Sequence, residues 1–131
     1  MLISKKRKSR SKFVAMCLAM VMIATVSVVS AAQSTANLDG SGTSKSTSIL
    51  TATKAGTGNI YATNNGANTT TRGYAKKSIN WLPDSTVAST NWLNPGQSQT
   101  ATFTQSIGQE YYGQIVGQTS SSRGGVRLTV N

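Results

Sequence analysis

Residues 98–119 read SQTATFTQSIGQEYYGQIVGQT, and their alternation decides the fold class. In an extended chain successive side chains point to opposite faces. Between Ser98 and Ile107 this puts Ala101, Phe103 and Ile107 on one face and Thr100, Thr102, Thr104 and Ser106 on the other. From Glu110 onward, Tyr111 and Ile115 share a face with Gly113 and Gly117, while Tyr112, Gln114, Val116 and Gln118 take the opposite one. If Gly108 to Glu110 is a three-residue hairpin loop, Ile107 faces Tyr111 and Phe103 faces Ile115. A two-residue loop sets Phe103 against Gln114 instead. Because a one-residue slip reverses every side chain, burial predicts the three-residue loop. Val126, Leu128 and Val130 of the last segment then cover this apolar face, and Arg127 and Thr129 point to solvent.

The same texture extends toward the N-terminus. Helical periodicity is absent, and Thr, Val, Ile, Tyr and Trp alternate with polar residues between Gly/Asn/Pro clusters. Strands are expected over 48–53, 59–63, 69–79, 86–92, 98–107, 110–119 and 125–130. Asn64-Asn65-Gly66 offers the positive φ angles of a tight hairpin, and Asn94-Pro95-Gly96 marks a turn before the fifth strand. Six to seven short strands at roughly ten-residue spacing predict an all-β domain, a small antiparallel β-sandwich or barrel, over residues 48–131. Residues 33–47, rich in Ser, Thr, Gly and Asn, hold too little apolar surface to offset the entropy of ordering and read as a flexible lead-in.

Charge first suggests the wrong partner. The 131 residues carry a formal net charge of +10, a value typical of nucleic-acid binders. Yet Lys5, Lys6, Arg7, Lys8, Arg10 and Lys12 precede an apolar run from Phe13 to about Val29, followed by Ser30-Ala31-Ala32. A basic region, an apolar region and small residues in that order are the parts of a signal peptide, here residues 1–32, with cleavage after Ala32 or Ala31. The competing reading is an uncleaved anchor, because the run approaches the length that spans a bilayer. Without the six N-terminal cations only a mildly basic domain is left, and nucleic acid is not an expected partner. The one cysteine, Cys17, lies inside the apolar run, so the exported chain has to fold without disulfides. Export, lack of cysteine and a long basic leader together suggest a Gram-positive bacterium.

The residues that could carry chemistry are few. Histidine is absent, which removes Ser-His and Cys-His nucleophile pairs and histidine metal sites. Three carboxylates, Asp39, Asp84 and Glu110, form no sequence cluster suited to a metal or a glycosidase pair. The chain therefore reads as a non-enzyme with no cofactor and no metal.

Three features suit binding. Asn80-Trp81-Leu82-Pro83 is echoed by Asn91-Trp92-Leu93-Asn94-Pro95, so both tryptophans stand beside turns. Exposed together, they could stack on sugar rings or sit at a lipid headgroup boundary; buried, each plugs one end of a small core. The wet face combines Thr100, Thr102 and Thr104 with Tyr112, Gln114 and Gln118, groups that hydrogen-bond a glycan or simply water. Arg72, Lys76 and Lys77 surround Tyr74, with Arg72 and Lys76 on one side of a strand and Lys77 on the other. They suit an anionic wall polymer or a membrane surface, or serve as edge-strand lysines that discourage aggregation. The leading expectation is a secreted, non-enzymatic sandwich associated with the bacterial cell envelope or its glycans, extracellular or attached to the cell surface. A secreted bacteriocin or toxin acting on the envelope or membrane of competitors comes second, and an extracellular matrix protein third.

Overall fold

A computed structural model describes residues 31–131, which form one compact unit. The signal-peptide reading, with its basic leader, its apolar run and Cys17, lies outside the described residues apart from Ala31 and Ala32. The unit is all-β. Nine strands follow in chain order: β1 (Ala32–Asp39), β2 (Ser44–Ser46), β3 (Leu50–Thr51), β4 (Gly56–Asn64), β5 (Thr71–Lys77), β6 (Ser85–Ser89), β7 (Ser98–Gln105), β8 (Glu110–Gly117) and β9 (Arg123–Val130). They build two antiparallel sheets. The first has the order β1-β9-β4-β7; the second has the order β2-β8-β5-β6, with β3 also pairing with β8. The result is a small β-sandwich with its core between the sheets.

Each strand of the sandwich interior alternates as its sequence requires. β4 buries Gly58, Ile60, Ala62 and Asn64, β8 buries Tyr111, Gly113, Ile115 and Gly117, and β9 buries Val126, Leu128 and Val130. Phe103 is buried, with its ring centroid 4.9 Å from that of Tyr111. It lies over Gly58 on the neighbouring strand, where any Cβ would collide with the ring. The inward face read from residues 98–130 therefore holds at Phe103, Tyr111, Ile115, Val126, Leu128 and Val130.

The pairing of β7 with β8 does not hold. β7 pairs with β4 in the first sheet and β8 with β5 in the second. The connection is a turn in which Gln109 N–H donates to Ser106 O, with Gly108 at φ 80°, and it crosses between the sheets. Phe103 and Tyr111 meet across the core, not across a ladder, so Ile107 points into solvent and not toward Tyr111. Alternation fixes which face is apolar, but it does not say whether the next strand lies beside that face or opposite it.

The flexible lead-in is also corrected. Ala32–Asp39 pairs along its whole length with β9, from Ala32 opposite Val130 to Asp39 opposite Arg123. Its inward positions, Ser34, Ala36 and Leu38, are small until the last, which is why hydrophobicity alone misses the strand. The gain is mainly the backbone ladder along β9, which otherwise ends the sheet unpaired. Beyond β1, Thr47 is buried, donates its backbone N–H to Gly113 O and accepts from Gly113 N–H through Oγ1.

Asn64 is not in a hairpin either. Neither it, Asn65 nor Gly66 has a positive φ, and β4 and β5 belong to different sheets. Its buried amide instead donates to Thr69 O at 2.6 Å and Leu93 O at 2.8 Å and accepts from Gly66 N–H, so it joins two loops at one end of the sandwich. Replacing it by alanine takes the side-chain partner from Thr69 O and Gly66 N–H and leaves Leu93 O with Thr71 N–H alone. Asn64→Ala is expected to cost about 2 to 4 kcal/mol in urea unfolding, whereas exposed Asn65→Ala should change stability by under about 0.5 kcal/mol. The Asn94-Pro95-Gly96 turn is as expected, with Gln97 N–H donating to Asn94 O and Gly96 at φ 80°.

Candidate functional site

β5 lies inside its sheet, between β8 and β6, so its cations are not edge-strand lysines. Arg72, Tyr74 and Lys76 alternate onto the outer face of this sheet, while Gly73 and Ala75 are buried. A Cβ at Gly73 would approach the Ala62 Cβ to 2.6 Å, so the two sheets come together closely behind the face. Lys77 has the inward parity, at the strand's end, and lines a cleft there with Glu110. The split between Arg72 with Lys76 and Lys77 thus stands.

Register then brings two sets of sequence candidates together. Lys76 is opposite Tyr112, Tyr74 opposite Gln114 and Arg72 opposite Val116 on β8, while Ser46 and Ser44 of β2 continue the rows of Gln114 and Val116. The Tyr74 ring lies between two cations, the Arg72 guanidinium 5.2 Å and the Lys76 ammonium 5.8 Å from its centroid. Arg72 is held in place by bonds from Nε to Thr90 O at 2.7 Å and from Nη2 to Ser89 Oγ at 3.2 Å. These occupy two of a guanidinium's five N–H donors. Gln114 Nε2 donates to Ser44 Oγ at 2.9 Å, and Gln118 accepts from Thr70 at the rim.

Asp84 sets the other border. Tyr112 donates its hydroxyl to Asp84 Oδ2 at 2.7 Å, and Ile79 N–H donates to Oδ1 at 3.1 Å. These bonds, that from Tyr112 foremost, hold the Asp84 carboxyl below the usual carboxylate range. Partial burial, and then the neighbouring carboxylate, push the Tyr112 phenol up to about 12. Tyr112 is accordingly a neutral donor across the ordinary pH range. The face offers two cations, two phenol rings, amides and hydroxyls, with one carboxylate already engaged. Such a set can hydrogen-bond hydroxyls and attract negative charge beside an aromatic ring.

The remaining candidates lie elsewhere. Thr100, Thr102 and Thr104 are exposed on β7 in the opposite sheet and do not adjoin Tyr112, Gln114 and Gln118, because the predicted β7–β8 ladder does not form. Their face contains residues missed in the sequence, Tyr61 with the Arg127 guanidinium 5.3 Å from its ring centroid, beside a shallow depression of about 150 Å3 that Asn37 and Thr63 also line. The alternation of β4 and β9 was legible, but the pairing of Tyr61 with Arg127 was not.

The tryptophans are not core plugs. Trp81 is fully exposed and Trp92 is 45% exposed, while Leu93 enters the core in its place. Nor do they form one site: Trp81 follows the Lys77 end of β5, and Trp92 adjoins Leu93, which bridges Thr71 at the other end. Six residue steps separate those ends, about 20 Å. Trp81 also has φ 67°, the only positive φ among the described non-glycine residues. A bulky side chain in that region costs about 1 to 3 kcal/mol, which the surrounding structure has to offset.

Among solved structures the chain is similar to the Yersinia pseudotuberculosis-derived mitogen, with a TM-score of 0.46 and 14% identity over 79% of this chain and 88% of that one. It is also similar to a chain in the structure of infectious bursal disease virus Gx strain, with a TM-score of 0.40 and 15% identity over 77% of this chain and 31% of that one. No protein-family model matches the chain, and no curated protein matches it in sequence. Likenesses this distant say nothing about a ligand.

Proposed function

We propose that this is an exported, non-enzymatic binding protein that holds an anionic glycan or polyol-phosphate polymer of the bacterial cell envelope on the outer face of the β2-β8-β5-β6 sheet. The observation that carries this reading is the Tyr74 ring between Arg72 and Lys76, with Tyr112 and Gln114 in the adjoining row. A guanidinium held by hydrogen bonds beside an aromatic ring, as Arg72 is beside Tyr74, binds negative charge next to a sugar face with little of its own side-chain freedom left to lose.

Co-sedimentation with insoluble cell wall tests it. The chain should pellet with walls that retain their anionic polymers, and less with walls stripped of them. Tyr74→Ala and Lys76→Gln should each weaken binding about tenfold, and rising salt should weaken it further as the charges are screened. Undiminished pelleting of both variants, at every salt concentration, would place the ligand elsewhere.

A further inference from the structure

A different end of the molecule presents apolar side chains that the wall-binding face does not use. The loop between β5 and β6 exposes Trp81 fully and Leu82 at 66%, and the turn between β7 and β8 exposes Ile107 at 67%. The two connections are neighbours. Ser78 N–H donates to Glu110 O, and Lys77, Ile79, Asn80, Gly108 and Gln109 line one cleft between them. The Trp81 loop is not loosely attached, since Asp84 bonds both to Ile79 N–H within the loop and to the Tyr112 hydroxyl on β8. A rigid loop thus holds an indole in water with its backbone at φ 67°.

We infer that this end of the sandwich seats Trp81, Leu82 and Ile107 in the headgroup layer of an anionic lipid bilayer. Two observations favour a bilayer as the occupant. The side chains stand at the tips of two turns, and together they offer on the order of 400 to 500 Å2, short of the roughly 800 Å2 per partner that a stable protein interface buries. An indole at the boundary of apolar and wet surroundings is the usual interfacial anchor.

Second, cations stand behind the tip. Lys77 lines the cleft, Lys76 ends the outer row beside Tyr112, and Lys54 is placed at this end by the bond from Gln105 Nε2 to Lys54 O. The side-chain carboxylates here are Asp84, held by Tyr112 and Ile79, and Glu110 in the cleft.

The test uses residues 31–131, a unit with its own core, in a Trp92→Phe background that leaves Trp81 as the single indole. Vesicles of phosphatidylglycerol and phosphatidylcholine should sediment the protein, shift Trp81 emission to the blue and, when their acyl chains are brominated, quench it. Trp81→Ser combined with Ile107→Ser should reduce sedimentation by at least about tenfold with an unchanged circular dichroism spectrum, because neither side chain is packed. Tyr74→Ala should leave vesicle binding intact, which separates this surface from the wall-binding face. Absence of vesicle binding, or binding kept by the double variant, overturns the inference. Concentration-dependent dimerisation abolished by Trp81→Ser overturns it too, in favour of a second copy of the chain.

Discussion

A chain that begins at Ser48 is expected to lose cooperative folding altogether. All eight residues of β1 pair with β9, and removing them strips one side of the strand that contributes Val126, Leu128 and Val130 to the core. Leu38, 3% exposed, leaves with it, as do the bonds of Thr47 to Gly113 and of Ser48 N–H to Ser34 Oγ. Domains of this size hold roughly 5 to 15 kcal/mol in total, and the described residues contain no cysteine to staple what is left. Thermal and urea unfolding, followed by far-ultraviolet circular dichroism, should show a sharp transition for residues 31–131 and none for residues 48–131. A cooperative transition of the shorter chain near the midpoint of the longer one would mean that β1 is dispensable.

Phe103→Ala should be the most damaging single substitution in β7, at about 3 to 5 kcal/mol. The ring fills the space above Gly58 and packs on Tyr111 from the opposite sheet, so its removal opens a cavity that Gly58, with no side chain, cannot fill. Thr102→Ala, one residue away on the wet face, should stay within about 0.5 kcal/mol. Urea denaturation of the two variants beside the parent chain checks both values. Equal and small effects would contradict the assignment of faces.

Local alternation was legible because it depends only on the strand's own period. It identified seven of the strands approximately, the class of fold, and the inward residues of the last three segments. Partner choice was not legible, because it depends on where a turn sends the chain. Gly108 suits a hairpin and a sheet-to-sheet crossing equally well, and the crossing moved Thr100, Thr102 and Thr104 to the far side of the molecule from Tyr112, Gln114 and Gln118. The same choice of partners, working in the other direction, laid β5 beside β8 and joined Arg72, Tyr74 and Lys76 to Tyr112 and Gln114.

The tryptophans show a different limit. Size argues for burying an indole in a small core, and in the Trp92-Leu93 pair that slot goes to Leu93. At Trp81 the exposed ring and the positive φ arise from the loop's geometry, bonded through Asp84, which no spacing in Asn80-Trp81-Leu82-Pro83 announces. β1 was missed because Ser34 and Ala36 carry almost no hydrophobic signal, although their alternation with Leu38 is regular.

Binding of an anionic envelope polymer to the β5–β8 face can be read residue by residue, by nuclear magnetic resonance of residues 31–131 titrated with solubilised wall polymer. Amide shifts should change first and most at Arg72, Tyr74, Lys76, Tyr112 and Gln114, and revert as salt is raised. Shifts confined to the face of Tyr61, Arg127, Thr100 and Thr102, or no shifts at saturating polymer, would contradict it.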